Sequence, residues 1–200
     1  MLYPHHYRLT LLLFMTLSSL ATLYWLSMRF NTHAVISHEI YRSAELSKKQ
    51  FAAIIQQNHL KSIINLRGAQ LNQTWYQNEI AISKHFDVKH YDLHLPPNGL
   101  PTLHQLKALI TLIQDAPKPL LLHCRASADR TGLASAISLI LFTHDSINTV
   151  LKQISWHYLV FAPDSIGKMV MPLYINWLNQ HNKINSRKNF LHWIQQLQAL

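Results

Sequence analysis

The stretch that most restricts the fold is PLLLHCRASADRTGLASA at 119–136. Three leucines and a histidine make an apolar run of strand length, and small and polar residues end it at once. From Arg130 apolar residues resume at helical density to about Thr143. A buried strand, a tight loop and a helix in direct succession are the local unit of an α/β domain. Strands of a parallel sheet are apolar on both faces because helices cover both. Ligands in such sheets bind beyond the carboxyl ends of the strands, where this loop falls.

The rest of the chain repeats the alternation. EIYRSAEL at 39–46 reads as a short edge strand, and Ser47 caps a helix over 48–58 with Phe51, Ile54 and Ile55 at helical spacing. SIINL at 62–66 reads as a β-branched strand punctuated by Gly68, 74–85 as a helix and 88–95 as a strand. Pro96, Pro97, Asn98, Gly99 and Pro101 make a rigid loop, after which Thr102 caps a helix to about Asp115. Three further helices are expected at 146–158, 164–180 and 186–198, opening on Ser146, Asp164 and Ser186. The expected fold is therefore α/β: a central, mostly parallel sheet of about four or five strands flanked by helices. No internal repeat or low-complexity segment interrupts it.

The loop carries the chemistry. His123-Cys124-Arg125-Ala126-Ser127-Ala128-Asp129-Arg130-Thr131-Gly132 has the spacing Cys-x5-Arg followed by Thr-Gly. Backbone N–H groups of a tight loop and a helix N-terminus form an anion cradle. The same positive field lowers a thiol pKa, and a thiolate attacks without a separate base. Arg130, folded back over the cradle, presents a planar fork that matches two phosphoryl oxygens. The Thr131 hydroxyl can hydrogen-bond the sulfur, and the His123 ring can brace the loop.

These residues resemble the signature loop of the protein-tyrosine and dual-specificity phosphatase superfamily, in particular its small bacterial dual-specificity-like members. YRSAEL at 41–46 and IINLRG at 63–68 resemble the first strands of that subgroup, and the likeness covers about residues 39 to 160. It implies a phosphocysteine mechanism without metal or other cofactor. It places Cys124 on the nucleophile, Arg130 on the phosphate-binding arginine and Thr131 on the hydroxyl residue. His123, Arg125, Ala126, Ser127, Ala128 and Gly132 complete the phosphate-binding loop.

The pattern departs from the family twice. Members usually carry Gly where this chain has Ser127. They usually take a general acid from a mobile loop, here LPPNGLP at 95–101, which has none. Asp92 lies too early, in the preceding strand, and His94 would be an unusual acid. Relatives whose loops end Asp-Arg-Thr point to Asp129 as the acid; its other reading is a loop-bracing carboxylate.

Leu9 to Met28 is 20 residues without a formal charge, flanked by Arg8 and Arg29, with Tyr24 and Trp25 near one end. That length suffices for one transmembrane helix. A cleavable signal would want a shorter apolar core and a better small-residue site. The expected organisation is an N-terminal membrane anchor or uncleaved signal over 1–30, then a phosphatase domain with a C-terminal helical extension over 31–200. With its N-terminus inside, such an anchor on a bacterial inner membrane would put the catalytic domain in the periplasm.

A net charge of +9 favours anionic partners, but the cations are scattered and exclude a nucleic-acid stripe. The lone cysteine excludes an intrachain disulfide framework and a multi-cysteine zinc site. The expected activity is a membrane-anchored phosphomonoesterase acting on phosphotyrosine, phosphoserine or phosphothreonine in a protein, or on a phosphorylated lipid or sugar. The main alternative is a pseudophosphatase that binds phosphorylated ligands without turnover, and a third is sulfur transfer. Oligomeric state is not written in the sequence.

Overall fold

The computed structural model describes residues 4–197, with the side chains of 7–22 and 31–197. An N-terminal helix, α1 (Pro4–Phe30), precedes an α/β domain. Its elements are β1 (His33–Ile36), β2 (Ile40–Ser43), α2 (Lys48–Asn58), β3 (Ser62–Asn65), α3 (Thr74–His85), β4 (Lys89–Asp92), α4 (Leu103–Asp115), β5 (Leu120–His123) and α5 (Asp129–Phe142). Then follow α6 (Ile147–Lys152), a 3-10 turn at Trp156–Tyr158, α7 (Ile166–Gln180) and α8 (Arg187–Gln196).

The five strands form one sheet in the order β1-β2-β5-β3-β4. All neighbours pair in parallel except β1 with β2. Side chains alternate across the sheet as strand geometry requires. Ile64, Leu66, Leu120 and Leu122 join the core under α4, α5, α7 and α8. Ile63 and Leu121 pack with Phe51, Ile54, Ile55 and Ile82 under α2 and α3. β5 is buried at all four positions, which accounts for its unbroken leucine run. Ser47, Thr102, Ser146 and Ser186 are N-cap residues, and the Thr102, Ser146 and Ser186 side chains each accept a backbone N–H.

Three expectations need correction. The strand at 39–46 is not an edge: β1, half-exposed and only four residues long, pairs with β2 and takes the edge itself. Such a short strand has no legible alternation. The helix expected over 146–158 ends at Lys152, and the chain turns through Leu159 in the left-handed region (φ 65°). α7 begins at Ile166 with Ser165, not Asp164, as its N-cap. Asp164 is engaged elsewhere: its carbonyl accepts from Gly99 N–H at 2.7 Å and its carboxylate from Asn98 Nδ2 at 3.0 Å.

Among the described residues no helix is long and apolar enough to cross a membrane. Leu9 to Met28 follows a helical backbone, but the side chains of 23–28 lie outside the described residues. Of the described part, Leu9, Leu13, Phe14 and Leu20 are all exposed.

Candidate active site

β5 is the middle strand, and its neighbours end level with it: Ser43 and Asn65 both stand beside His123. The chain therefore leaves the sheet at Cys124, at the carboxyl edge where the sequence pattern placed a ligand site. Backbone bonds tie the turn to both sides. Leu66 N–H donates to His123 O at 2.9 Å, and Glu45 N–H to Arg125 O at 3.1 Å. Gly132 N–H closes on Ala128 O at 2.6 Å, so α5 starts immediately and carries Arg130 and Thr131 in its first turn. Gly132 itself is required by contact: a Cβ there would meet Gln153 O at 2.8 Å.

The Cys124 thiol is buried. Burial alone would raise its pKa. The Thr131 hydroxyl, the Arg130 charge and the N–H groups of Thr131 and Ala126 pull it below the usual thiol value. Among the described residues, the buried Arg130 Nε and Thr131 Oγ1 have no hydrogen-bond partner besides the contact of the Thr131 hydroxyl with the Cys124 sulfur. A guanidinium and a hydroxyl beside a low-pKa sulfur are the parts that phosphoryl transfer to sulfur needs: nucleophile, charge clamp and leaving-group support.

Ser127 does stand where the loop wants glycine, with φ 53°. Two residues from outside the motif hold it there. Arg42, on β2 and fully buried, donates through Nε to Ser127 Oγ at 3.2 Å and through Nη2 to Ser127 O. Its Nη1 reaches Gln153 Oε1 at 2.7 Å, and its guanidinium stacks on the Tyr158 ring at 4.1 Å. Burial pushes the Arg42 pKa down to about 10, with Tyr158 and Cys124 opposing, so it remains a cation at neutral pH. Asn31 Nδ2 donates to Ser127 O at 2.9 Å, Ala126 O at 3.2 Å and Tyr158 O at 3.0 Å. Within YRSAEL nothing marked Arg42 as more than a surface residue of a strand, and Asn31 carried no signal at all.

His123 is buried and bonds Glu79 Oε1 through Nε2 at 2.8 Å, and the same oxygen meets His90 Nε2 at 2.6 Å. The three donor atoms lie within 4.8 Å of one another. Two ligands of one tetrahedral zinc at about 2.0–2.1 Å from it would stand roughly 3.3 Å apart. Both separations from Glu79 Oε1 to the imidazole nitrogens are shorter and belong to hydrogen bonds, so the trio is a hydrogen-bonded network centred on that oxygen.

The candidate acids are scattered. Asp92 is committed, accepting from Tyr76 OH at 2.5 Å and Asn65 Nδ2 at 2.8 Å, which removes it from consideration. His94 Nδ1 faces Arg67 O at 3.0 Å. Asp129 is half-buried as the first residue of α5. The 95–101 loop lacks an acid of its own, yet the fold brings one to it: Asp164, through the Asn98 and Gly99 bonds above and Ile166 N–H on Pro97 O at 3.0 Å. Arg125 is exposed and borders a cavity of about 860 Å³ that Ser47, Lys48, Gln50 and Trp75 also line. Arg67 pairs with Glu45 and stacks on Trp75 at 3.9 Å, which makes it a brace of this wall.

Residues 25–144 match a family model described as DSP-PTPase phosphatase fused to NAD+ kinase. No curated protein matches the sequence. Among solved structures, the core catalytic domain of the PP-IP phosphatase Siw14 from S. cerevisiae is similar at 22% identity and TM-score 0.57, over 76% of this chain and 93% of that one. PTPMT1 is similar at 16% identity and TM-score 0.52, over 76% of this chain and 99% of that one. A DUF442 protein from Shewanella putrefaciens CN-32 is similar at 14% identity and TM-score 0.56, over 74% and 92%. At these identities the structures speak for the fold, which they share with this chain.

Proposed function

Because the chain belongs to the DSP-PTPase phosphatases, a cysteine-dependent class, we propose that it cleaves phosphomonoesters through a phosphocysteine intermediate on Cys124. The observation that carries this reading is the buried Cys124 thiol, its pKa lowered by Thr131 and Arg130 at the start of α5. The Cys124 thiolate attacks phosphorus, forming the P–S bond as the ester P–O bond breaks. Arg130 and the loop N–H groups of Arg125, Ala126, Ser127 and Ala128 neutralise the equatorial oxygens. The departing alkoxide takes a proton from a carboxylic acid. Water then attacks the phosphocysteine, the carboxylate takes its proton, and Thr131 supports the sulfur as it leaves as thiolate. Asp129 is the acid in this scheme; Asp164, delivered to the 95–101 loop, is the second reading.

The substrate is a phosphorylated protein, lipid or sugar. The similar structures include a PP-IP phosphatase and PTPMT1 bound to PI(5)P, and the cavity beside Arg125 has room for a group larger than phosphate. We further propose that α1 lies in lipid, with the domain on the periplasmic face of a bacterial inner membrane. The support is the charge-free run in the sequence and the exposed apolar side chains of Leu9 to Leu20. Flotation of the full chain with anionic vesicles, and its loss on removing residues 1–30, tests that seat. An unchanged distribution would refute it.

The catalytic test is hydrolysis of p-nitrophenyl phosphate with a chelator present. Turnover that survives the chelator and vanishes in Cys124→Ser is expected. Asp129→Asn should lower it and Asp164→Asn should not; the reverse pattern moves the acid to Asp164. The unarmed 95–101 loop favours one competing reading, a pseudophosphatase. Tight vanadate binding without turnover between pH 5 and 8 would establish that reading in place of the enzyme.

A further inference from the structure

Glu79 projects from α3 and is buried at 6% exposure. One of its oxygens meets two imidazole nitrogens, His123 Nε2 at 2.8 Å and His90 Nε2 at 2.6 Å. An ionised carboxylate only accepts hydrogen bonds, so both nitrogens carry protons. His123 is the residue before the nucleophile and is 1% exposed. An imidazole so deeply buried would ordinarily shed its charge. A carboxylate at hydrogen-bond distance, itself shut off from water, reverses that preference.

We infer that Glu79 is a positioning residue for the nucleophile: it holds His123 as a buried imidazolium whose charge sustains the Cys124 thiolate. The inference rests on the cysteine-phosphatase reading above.

The surroundings of the pair leave Glu79 in charge. From α3 come Glu79 and Tyr76, whose hydroxyl is spent on Asp92. From β4 come His90 and Asp92; Asp92 is 3.7 Å from His90 Nδ1 and is also bound by Asn65 of β3. Beyond β3 stands Arg67, which disfavours a charge on His123 but is paired with Glu45. From α2 the Phe51 ring approaches His123 edge-on at 6.3 Å, and Lys48 lines the same cavity as Glu79, with Glu45 and Arg125 from the loops after β2 and β5. On its own strand His123 is followed by Cys124, with Arg130 and Thr131 beyond it. Burial opposes charge on both partners. Even so, the His123 pKa is raised above its ordinary value, by Glu79 and then Cys124, and His123 and His90 bring Glu79 down to about 2.

Cys124 is the only cysteine, so the pH dependence of iodoacetamide alkylation reports its thiolate alone. The experiment compares the full wild-type chain with Glu79→Gln and Glu79→Asp. Glu79→Gln should move the alkylation midpoint up by about one pH unit, roughly tenfold in thiolate on the acid side. Glu79→Asp should recover part of the shift. His90→Gln, which keeps the carboxylate, should leave the midpoint near wild type. Superimposable profiles for wild type and Glu79→Gln would overturn the inference. A measurement on the wild type alone guards against a variant that fails to fold. In imidazole nitrogen NMR spectra, with His123 assigned by difference from His123→Asn, both ring nitrogens should be protonated at pH 7. A neutral His123 there would overturn the inference equally. The expected alkylation shift without any aryl phosphate turnover would sink the phosphatase reading while supporting the role of Glu79.

Discussion

Replacing Ser127 by glycine supplies the residue that its left-handed backbone favours, and the structure predicts that it weakens the protein. Ser127 pays for a left-handed backbone, and removing its Cβ should relieve about 1–2 kcal/mol. Glycine also loosens the unfolded chain, which costs roughly 0.5–1 kcal/mol. The larger loss is the Oγ acceptor of Arg42 Nε, a hydrogen bond from a fully buried cation at 3.2 Å. Such bonds contribute about 1.5–3 kcal/mol, and among the described residues Arg42 Nε has no other acceptor. The midpoints leave a net destabilisation of about 1.5 kcal/mol, or roughly 3–6 °C in Tm for a domain of this size. Ser127→Ala keeps the strain and loses the same bond, so it should fall about 2 kcal/mol below wild type. Thermal unfolding followed by circular dichroism gives the order directly: wild type highest, glycine next, alanine lowest. A glycine variant that melts above wild type would show that strain outweighs the Arg42 bond, and the account of the loop would fail.

Arg130→Lys keeps the charge but loses the planar fork, so kcat/KM on an aryl phosphate should fall at least about 10²-fold while the fold is retained. Gly68→Ala should destabilise by more than about 1 kcal/mol in a denaturant titration, because φ is 74° and the new Cβ would meet His94 Cβ at 2.9 Å. Stability against pH should peak where Glu79 and His123 are both charged. Glu79, held near 2, contributes stability that is full above its ordinary 4.5 and is lost as pH falls towards 2. His123, held above its ordinary 6.5, contributes stability that is full below 6.5 and is lost as pH rises through its folded value. The highest Tm is therefore expected between pH 4.5 and 6.5, and Glu79→Gln should flatten the acid side of that curve.

Much of the candidate site could be read without coordinates because its information is local. The buried run of β5, the loop after it and the start of α5 are adjacent in sequence, so one segment of 18 residues specifies strand, anion cradle and helix together. The N-caps at Ser47, Thr102, Ser146 and Ser186 are equally local, each decided within one turn. Residues that hold this segment in shape are remote. Arg42 and Asn31 reach Ser127 across 85 and 96 positions, Glu79 reaches His123 across 44, and Asp164 reaches Asn98 across 66. Each is an ordinary polar residue in its own neighbourhood, and nothing in a local pattern says that Arg42, Asn31 and Glu79 will be buried or that the exposed Asp164 will meet the 95–101 loop. β1 was missed for the same reason: four half-exposed residues become a strand only when β2 is there to pair with them.

The sequence by itself determined the α/β alternation and set the Cys124 thiol, the Arg130 guanidinium and the Thr131 hydroxyl in one short segment. Both follow from side-chain chemistry at short spacing. Only the tertiary structure decided how a serine is kept in a glycine's conformation, which carboxylate meets the imidazole beside Cys124, and which carboxylate reaches the acid-free 95–101 loop. Those answers depend on which strands lie side by side, and sheet order arises from contacts between distant segments.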